Sequence, residues 1–206
     1  MQEVTAHAVE KHVDYTGSKI GMWLFLFTEF ILFGGMFLLY SVYRYKHPLE
    51  FHAGASELDV VLGTANTLIL LSSSLTIALS ILATRRGNRK LSVVLQILTI
   101  ALGFLFLVNK YFEWGAKIHH GIYPGSTSLL QRSSGEVLFF GLYYTMTGLH
   151  GLHVLIGLVA IGVTAYLTHR GSINAEDFVK LENTGLYWHL VDIIWIYLFP
   201  LFYLIT

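Results

Sequence analysis

Residues 21–37 read GMWLFLFTEFILFGGMF, an apolar run interrupted by a single charge, Glu29. Hydrocarbon about 30 Å thick is spanned by roughly 20 apolar residues in a helix. The stretch, extended to 20–43, therefore predicts a membrane span. Glu29 lies about nine residues inside it, and at roughly 1.5 Å of rise per residue that is about 13 Å deep. A carboxylate facing lipid at that depth costs several kcal/mol. The side chain is expected to face protein or water, or to carry a proton. On its own it fits either a neutral hydrogen-bonded strut or a proton-relay group.

The rest of the chain has the same character. Of 206 residues, 54% are hydrophobic and 13% charged, against about a quarter charged in soluble domains. Further apolar runs at 62–83, 91–112, 137–168 and 186–205 predict an all-α, polytopic bundle of five transmembrane helices. A polar N-terminal segment, 1–19, precedes a single domain, 20–206. The connections KHPLEFHAGASE, RRGNRK, EWGAKIHHGIYPGSTSLLQRSSGE and HRGSINAEDFVKLENTG each hold a Gly or Pro that stops the preceding helix. The fourth run exceeds a perpendicular span, so one tilted or projecting helix is expected. The N-terminus lacks the pattern of a signal peptide.

Thirteen acidic residues balance thirteen Lys and Arg, which leaves no basic footprint for nucleic acid. With the N-terminus cytoplasmic, eight cations (Lys11, Lys19, Arg85, Arg86, Arg89, Lys90, Arg170, Lys180) fall inside and five (Arg44, Lys46, Lys110, Lys117, Arg132) outside. That asymmetry predicts N-in and C-out. Cysteine is absent, which removes disulfides, thiolate metal sites and cysteine nucleophiles.

Other polar groups lie in the runs. His150 and His153 in TGLHGLHVLIG are three apart and share a helix face, and His189 and Asp192 in GLYWHLVDIIWIYLFP repeat the spacing. A polar patch shared by the first, fourth and fifth helices, including Glu29, satisfies all of them. Haem ligation is not expected, because His150 and His153 sit on one helix with only His189 opposite. His119 and His120 fall in a Gly- and Pro-containing connection and read as interfacial. No zinc-protease, nucleophile-elbow, phosphate-loop or dinucleotide motif occurs. In the second run Ser72, Thr76 and Ser80 fall four apart, a stripe suited to close helix approach. The four tryptophans (23, 114, 188, 195) sit mostly near run ends and read as interfacial anchors. Lys110 and Glu113 read as an ion pair at headgroup level.

Taken together, GMWLFLFTEFILFGGMF, LGTANTLILLSSS, KYFEW, TGLHGLHVLIG and YWHLVDIIWIYLFP resemble the subunit III family of haem-copper terminal oxidases, over nearly all of the chain from Ser18. The resemblance implies the short, five-helix bacterial form in the cytoplasmic membrane. Longer members add two N-terminal helices across a lipid-holding cleft. It further implies an accessory subunit of a proton-pumping oxidase in an aerobic respiratory chain. Such a subunit flanks catalytic subunit I beside subunit II and smaller subunits, binds phospholipid and supports proton uptake. Haem and copper are expected in the partner subunits and none in this chain. Glu29 matches the family's buried acid, His150 and His153 its fourth-helix pair, Glu182 an acid seven residues ahead of His189, and Asp192 the acid of the closing signature. Asn109 and Lys110 stand where many members have Ser-Glu, which puts any role of that acid in doubt. On this basis Glu29 is expected to be a protonated carboxyl pinning the first helix to its neighbours or to subunit I. Alternatives are a quinol oxidase subunit III, a nitric oxide reductase companion, or a stand-alone proton channel or transporter.

Overall fold

A computed structural model describes residues 15–205. Among them are seven helices and no strand: α1 (Tyr15–Lys46), α2 (Pro48–Ser56), α3 (Val60–Arg85), α4 (Arg89–His119), α5 (Thr127–Leu130), α6 (Ser134–Arg170) and α7 (Val179–Tyr203). Five of them, α1, α3, α4, α6 and α7, are long and apolar enough to cross a membrane. The helices extend past their apolar runs, by two residues at each end of α3 and by seven at the end of α4 and the start of α7, while α7 stops two residues short of its run. Asp59, Asn88 and Ser133 receive the Leu62, Leu91 and Glu136 amides at the starts of α3, α4 and α6, satisfying N–H groups the helix leaves open. Residues 15–19 of the polar N-terminal segment are the opening turn of α1, and residues 1–14 lie outside the described residues. α6 is one unbroken helix of 37 residues, about 55 Å long at 1.5 Å per residue.

The connection at 47–58 holds an unexpected helix. Pro48 opens α2 at a position where a missing N–H costs nothing. Phe51, Gly54 and Ala55 on its inner side are buried. A Cβ on Gly54 would fall 2.4 Å from the Phe139 ring, so only glycine lets α2 lie this close to α6. Turn residues in the segment masked an inward face with helical spacing.

The spans α3, α4, α6 and α7 form a closed ring, each touching its two neighbours, and α1 packs outside against α6 and α7. Three layers fill the ring. In one, the fully buried Trp188 donates to Ser73 Oγ at 3.0 Å and lies against Gly103 and Gly157, where added Cβ atoms would fall 2.7 Å from its ring. In the next, Trp195 donates to Thr67 Oγ1 at 3.0 Å and packs on Phe106 and His150. The third joins Tyr203, Tyr143, Lys110 and Glu113. Trp188 and Trp195 are thus core plugs rather than interfacial anchors; Trp23 is exposed. Trp reaches the ring interior only because its N–H finds a hydroxyl there.

Hydroxyl groups join α3 to α4. Thr76 pairs with Thr99 and Thr84 with Ser92, both at 2.7 Å. The buried stripe is Ser73, Thr76, Ser80 and Thr84. Ser72 is exposed and bonds only to Leu68 O, which corrects its assignment to packing. The inward face is set by two neighbours, α4 and α7; Thr76 and Ser80 lie on it as expected, and Ser73 takes the place expected of Ser72.

Candidate functional site

The polar groups expected in one patch occupy three places. On the outer flank of the ring, Glu29 of α1 meets His153 of α6, Oε2 to Nε2 at 2.9 Å. His153 Nδ1 lies 2.8 Å from Leu149 O, and a carbonyl only accepts, so Nδ1 carries hydrogen. One proton then sits between Nε2 and the carboxyl, as carboxylic acid or as imidazolium. Either arrangement leaves the pair neutral, which is what hydrocarbon requires. Phe33, edge-on at 5.3 Å, packs against the imidazole, and the Tyr187 hydroxyl donates to His153 O at 3.2 Å.

His150 does not join that pair. Residues three apart differ by about 60° around a helix, and this turns His150 into the ring interior. It is fully buried between Phe106 and Trp195, with ring centroids 5.6 and 5.3 Å away. Neither ring nitrogen has a hydrogen-bond partner among the described residues.

His189 and Asp192 turn to α3 instead. His189 Nδ1 lies 2.6 Å from Ser74 Oγ, and that hydroxyl sits beside the buried Asp192 carboxyl. The Asp192 oxygens accept no hydrogen bond of good geometry. Glu182, at the start of α7, stands apart from all of these and is bridged by Arg85 and Lys19, the latter at 3.0 Å.

A fourth polar centre was not anticipated as such. Lys110 and Glu113 do pair, at 3.0 Å, and both are buried inside the ring. Lys110 Nζ also donates to Tyr143 Oη at 3.1 Å and Tyr203 Oη at 2.8 Å, and both hydroxyls donate to Glu113 Oε1 at 2.6 Å. Every ammonium donor and both carboxylate oxygens are thereby used, the condition under which a buried ion pair is tolerated. Lys110 lay within an apolar run, which was the available signal; the tyrosines come from helices 33 and 93 residues further along.

Glu113 forms part of the wall of a cavity of about 700 Å3 at the α2–α5 end, with Glu57, Asp59, Lys117, His120 and Arg132. Arg132 bridges Glu57 and Glu136 there. The hydrogen bond that Arg132 donates to Glu57 holds its guanidinium above an already high ordinary value. A second cavity, about 310 Å3 and almost wholly apolar, runs between α1 and α7, lined by Trp23, Phe27, Phe30, His189, Leu190 and Ile193. Among the described residues no three His, Asp or Glu side chains converge as a metal site would need.

The model of the family described as cytochrome c oxidase subunit III matches residues 1–206, the whole chain. This chain belongs to the cytochrome c oxidase subunit III family. A protein named cytochrome c oxidase subunit 3 from Thermostichus vulcanus is 34% identical over 210 residues, covering 98% of this chain and 94% of the relative. A probable quinol oxidase subunit 3 from Staphylococcus saprophyticus is 28% identical, covering 91% and 89%. A heme-copper oxidase subunit I+III from Aeropyrum pernix is 28% identical over 203 residues, 95% of this chain and 24% of that longer protein.

As a subunit III with five candidate spans, the chain is a multi-pass membrane protein. The family resemblance also gives Lys110 a meaning. The sequence resemblance leads one to expect an acid at this position, and Lys110 instead puts an amine there, 3.0 Å from Glu113.

Proposed function

We propose that this subunit III is the non-catalytic accessory subunit of a proton-pumping haem-copper terminal oxidase in a bacterial cytoplasmic membrane. It flanks and stabilises catalytic subunit I, alongside subunit II, and the haem and copper belong to those partners. The observation that carries the non-catalytic part is the pairing inside the bundle: Glu29 with His153, and Lys110 with Glu113, Tyr143 and Tyr203. Groups that find their counterparts within the chain build geometry instead of a reaction centre. An N-in orientation follows from the cation asymmetry. It puts the Lys19–Glu182–Arg85 bridge at the cytoplasmic end.

The apolar cavity between α1 and α7 suits an acyl chain. The adjoining pocket, which holds Lys19, Arg85 and Asn183, suits a phospholipid headgroup. Together they are the basis for assigning bound lipid. The relative named a probable quinol oxidase subunit 3 favours a second reading, in which quinol and not cytochrome c feeds the parent enzyme. Purification of the oxidase with and without this chain tests the role. Loss of the chain is expected to shorten the enzyme's active lifetime during turnover while leaving its haem spectrum intact. Unchanged assembly, lifetime and proton pumping would remove the proposal, and copurifying subunits together with donor assays separate the two readings.

A further inference from the structure

α1 is held to the rest of the protein by a thin seam. Its buried residues are Leu26, Phe33 and Tyr40, seven apart. Only 11% of its most apolar window is buried, against 28–50% in the other four spans. An apolar helix face in a membrane is ordinarily covered by lipid, so exposure alone selects no partner. The flank of α1 toward α6 differs, because it holds the edge of the Glu29–His153 pair.

That edge is incomplete. Glu29 Oε2 is engaged by His153, and Oε1 has no hydrogen bond among the described residues. The Glu29 side chain remains 14% exposed. An acceptor left without a donor in hydrocarbon costs about 1–3 kcal/mol, and acyl tails offer no donor. Headgroups do not reach it either. Glu29 lies about 13 Å inside the apolar run of α1 at roughly 1.5 Å per residue, near the middle of hydrocarbon about 30 Å thick. Lipid therefore does not supply the missing donor, and a protein helix packed on this flank can.

Beside Glu29 the outward surface of α1 is mixed: Phe25, Ile31 and Leu32 are exposed, and Gly21, Thr28 and Gly35 fall seven apart along it. Thr28 is exposed with its hydroxyl turned back to Phe25 O. Nothing lies within 4 Å of a Cβ built on Gly35 or Gly21. A second helix has room to approach along the Gly21–Thr28–Gly35 line, between the larger side chains.

We propose that the α1–α6 flank is the docking face for a membrane-spanning helix of subunit I, which donates an N–H or O–H to Glu29 Oε1 at mid-membrane. The occupant is subunit I because the Aeropyrum pernix relative, by its name, is a subunit I+III. The inference rests on the accessory-subunit reading and locates its interface. Glu29 then has two neighbours, His153 within this chain and a donor from the partner.

The absence of cysteine makes an introduced thiol unique in this subunit. A benzophenone maleimide on Thr28→Cys or Leu32→Cys, illuminated in the purified oxidase, is expected to capture subunit I. The same probe on Leu75→Cys of α3 or Val94→Cys of α4 is expected to leave subunit III uncoupled. Capture from α3 or α4 but not α1 would overturn the interface while leaving the accessory role in place. Capture at Thr28→Cys and Leu32→Cys of lipid only, or of a second subunit III, would also overturn it. If subunit I does not copurify at all, it is the accessory role that fails. Glu29→Gln keeps an acceptor and a donor and should hold subunit III on the complex through a detergent wash. Glu29→Leu should be lost about tenfold faster, the equivalent of one hydrogen bond of ~1.4 kcal/mol. Equal retention of the two variants would count against the shared carboxyl.

Discussion

At the scale of single residues, the membrane makes every ionisable side chain find a counterpart, and the counterparts differ in kind. Glu29 and His153 share a proton, whereas Lys110 and Glu113 keep separate charges and surround them with tyrosine hydroxyls. The Lys110 ammonium also sits 5.0–5.5 Å from the ring centres of Tyr143, Trp195 and Tyr203, where aromatic faces attract a cation. Removing one member strands the other. Lys110→Met is expected to cost about 3–5 kcal/mol, because Glu113 stays buried without its cation. Adding Glu113→Gln to Lys110→Met should recover much of that loss, as no buried charge remains. Thermal denaturation of the two variants in detergent checks this; a double variant less stable than the single would contradict it. The identity of Glu29 as an inward acid was legible in sequence. Its partner was not, since His150 and His153 both qualified.

Among elements, glycine placement decides which helices close up. Trp188 occupies the ring centre because Gly103 of α4 and Gly157 of α6 leave room for its six-membered ring. Gly103→Ala puts a methyl 2.7 Å from that ring, and neighbours packed as tightly as these have nowhere to move. Overpacking of this kind costs roughly 1–3 kcal/mol. Gly35→Ala meets nothing within 4 Å and should leave the isolated subunit as stable as before. Comparing the midpoints of thermal unfolding for the two variants tests the assignment, and equal loss would refute it. The five spans could be read from hydropathy because the bilayer imposes their length. α2 could not, because nine residues with Pro at the start and Gly inside carry a loop's composition, and only contact with Phe139 and Tyr40 rewards the helix.

For the whole molecule, stability is unevenly distributed. The ring of α3, α4, α6 and α7 shares three filled layers, whereas α1 adheres along a single seam. Local opening follows such differences in packing. In isolated subunit III, amide hydrogen exchange and proteolysis are expected to reach α1 before the ring helices. Binding of subunit I should slow them, since whatever binds the folded form stabilises it. Exchange in α1 as slow as in α6, without the partner, would show the seam to be stronger than its area suggests.

The sequence alone determined that this chain lives in a membrane, with five spans and polar groups that must turn inward, because hydrocarbon imposes length and polarity rules that need no tertiary knowledge. It also carried the motifs by which the family is recognised. Only the tertiary structure decided which polar group meets which. His150 enters the core and His153 meets α1; Ser73 packs where Ser72 was expected; Trp188 and Trp195 fill the ring. The reason is angular: a helix turns about 100° per residue, so neighbouring positions separate onto different faces. Which face is inside depends on where the other helices stand.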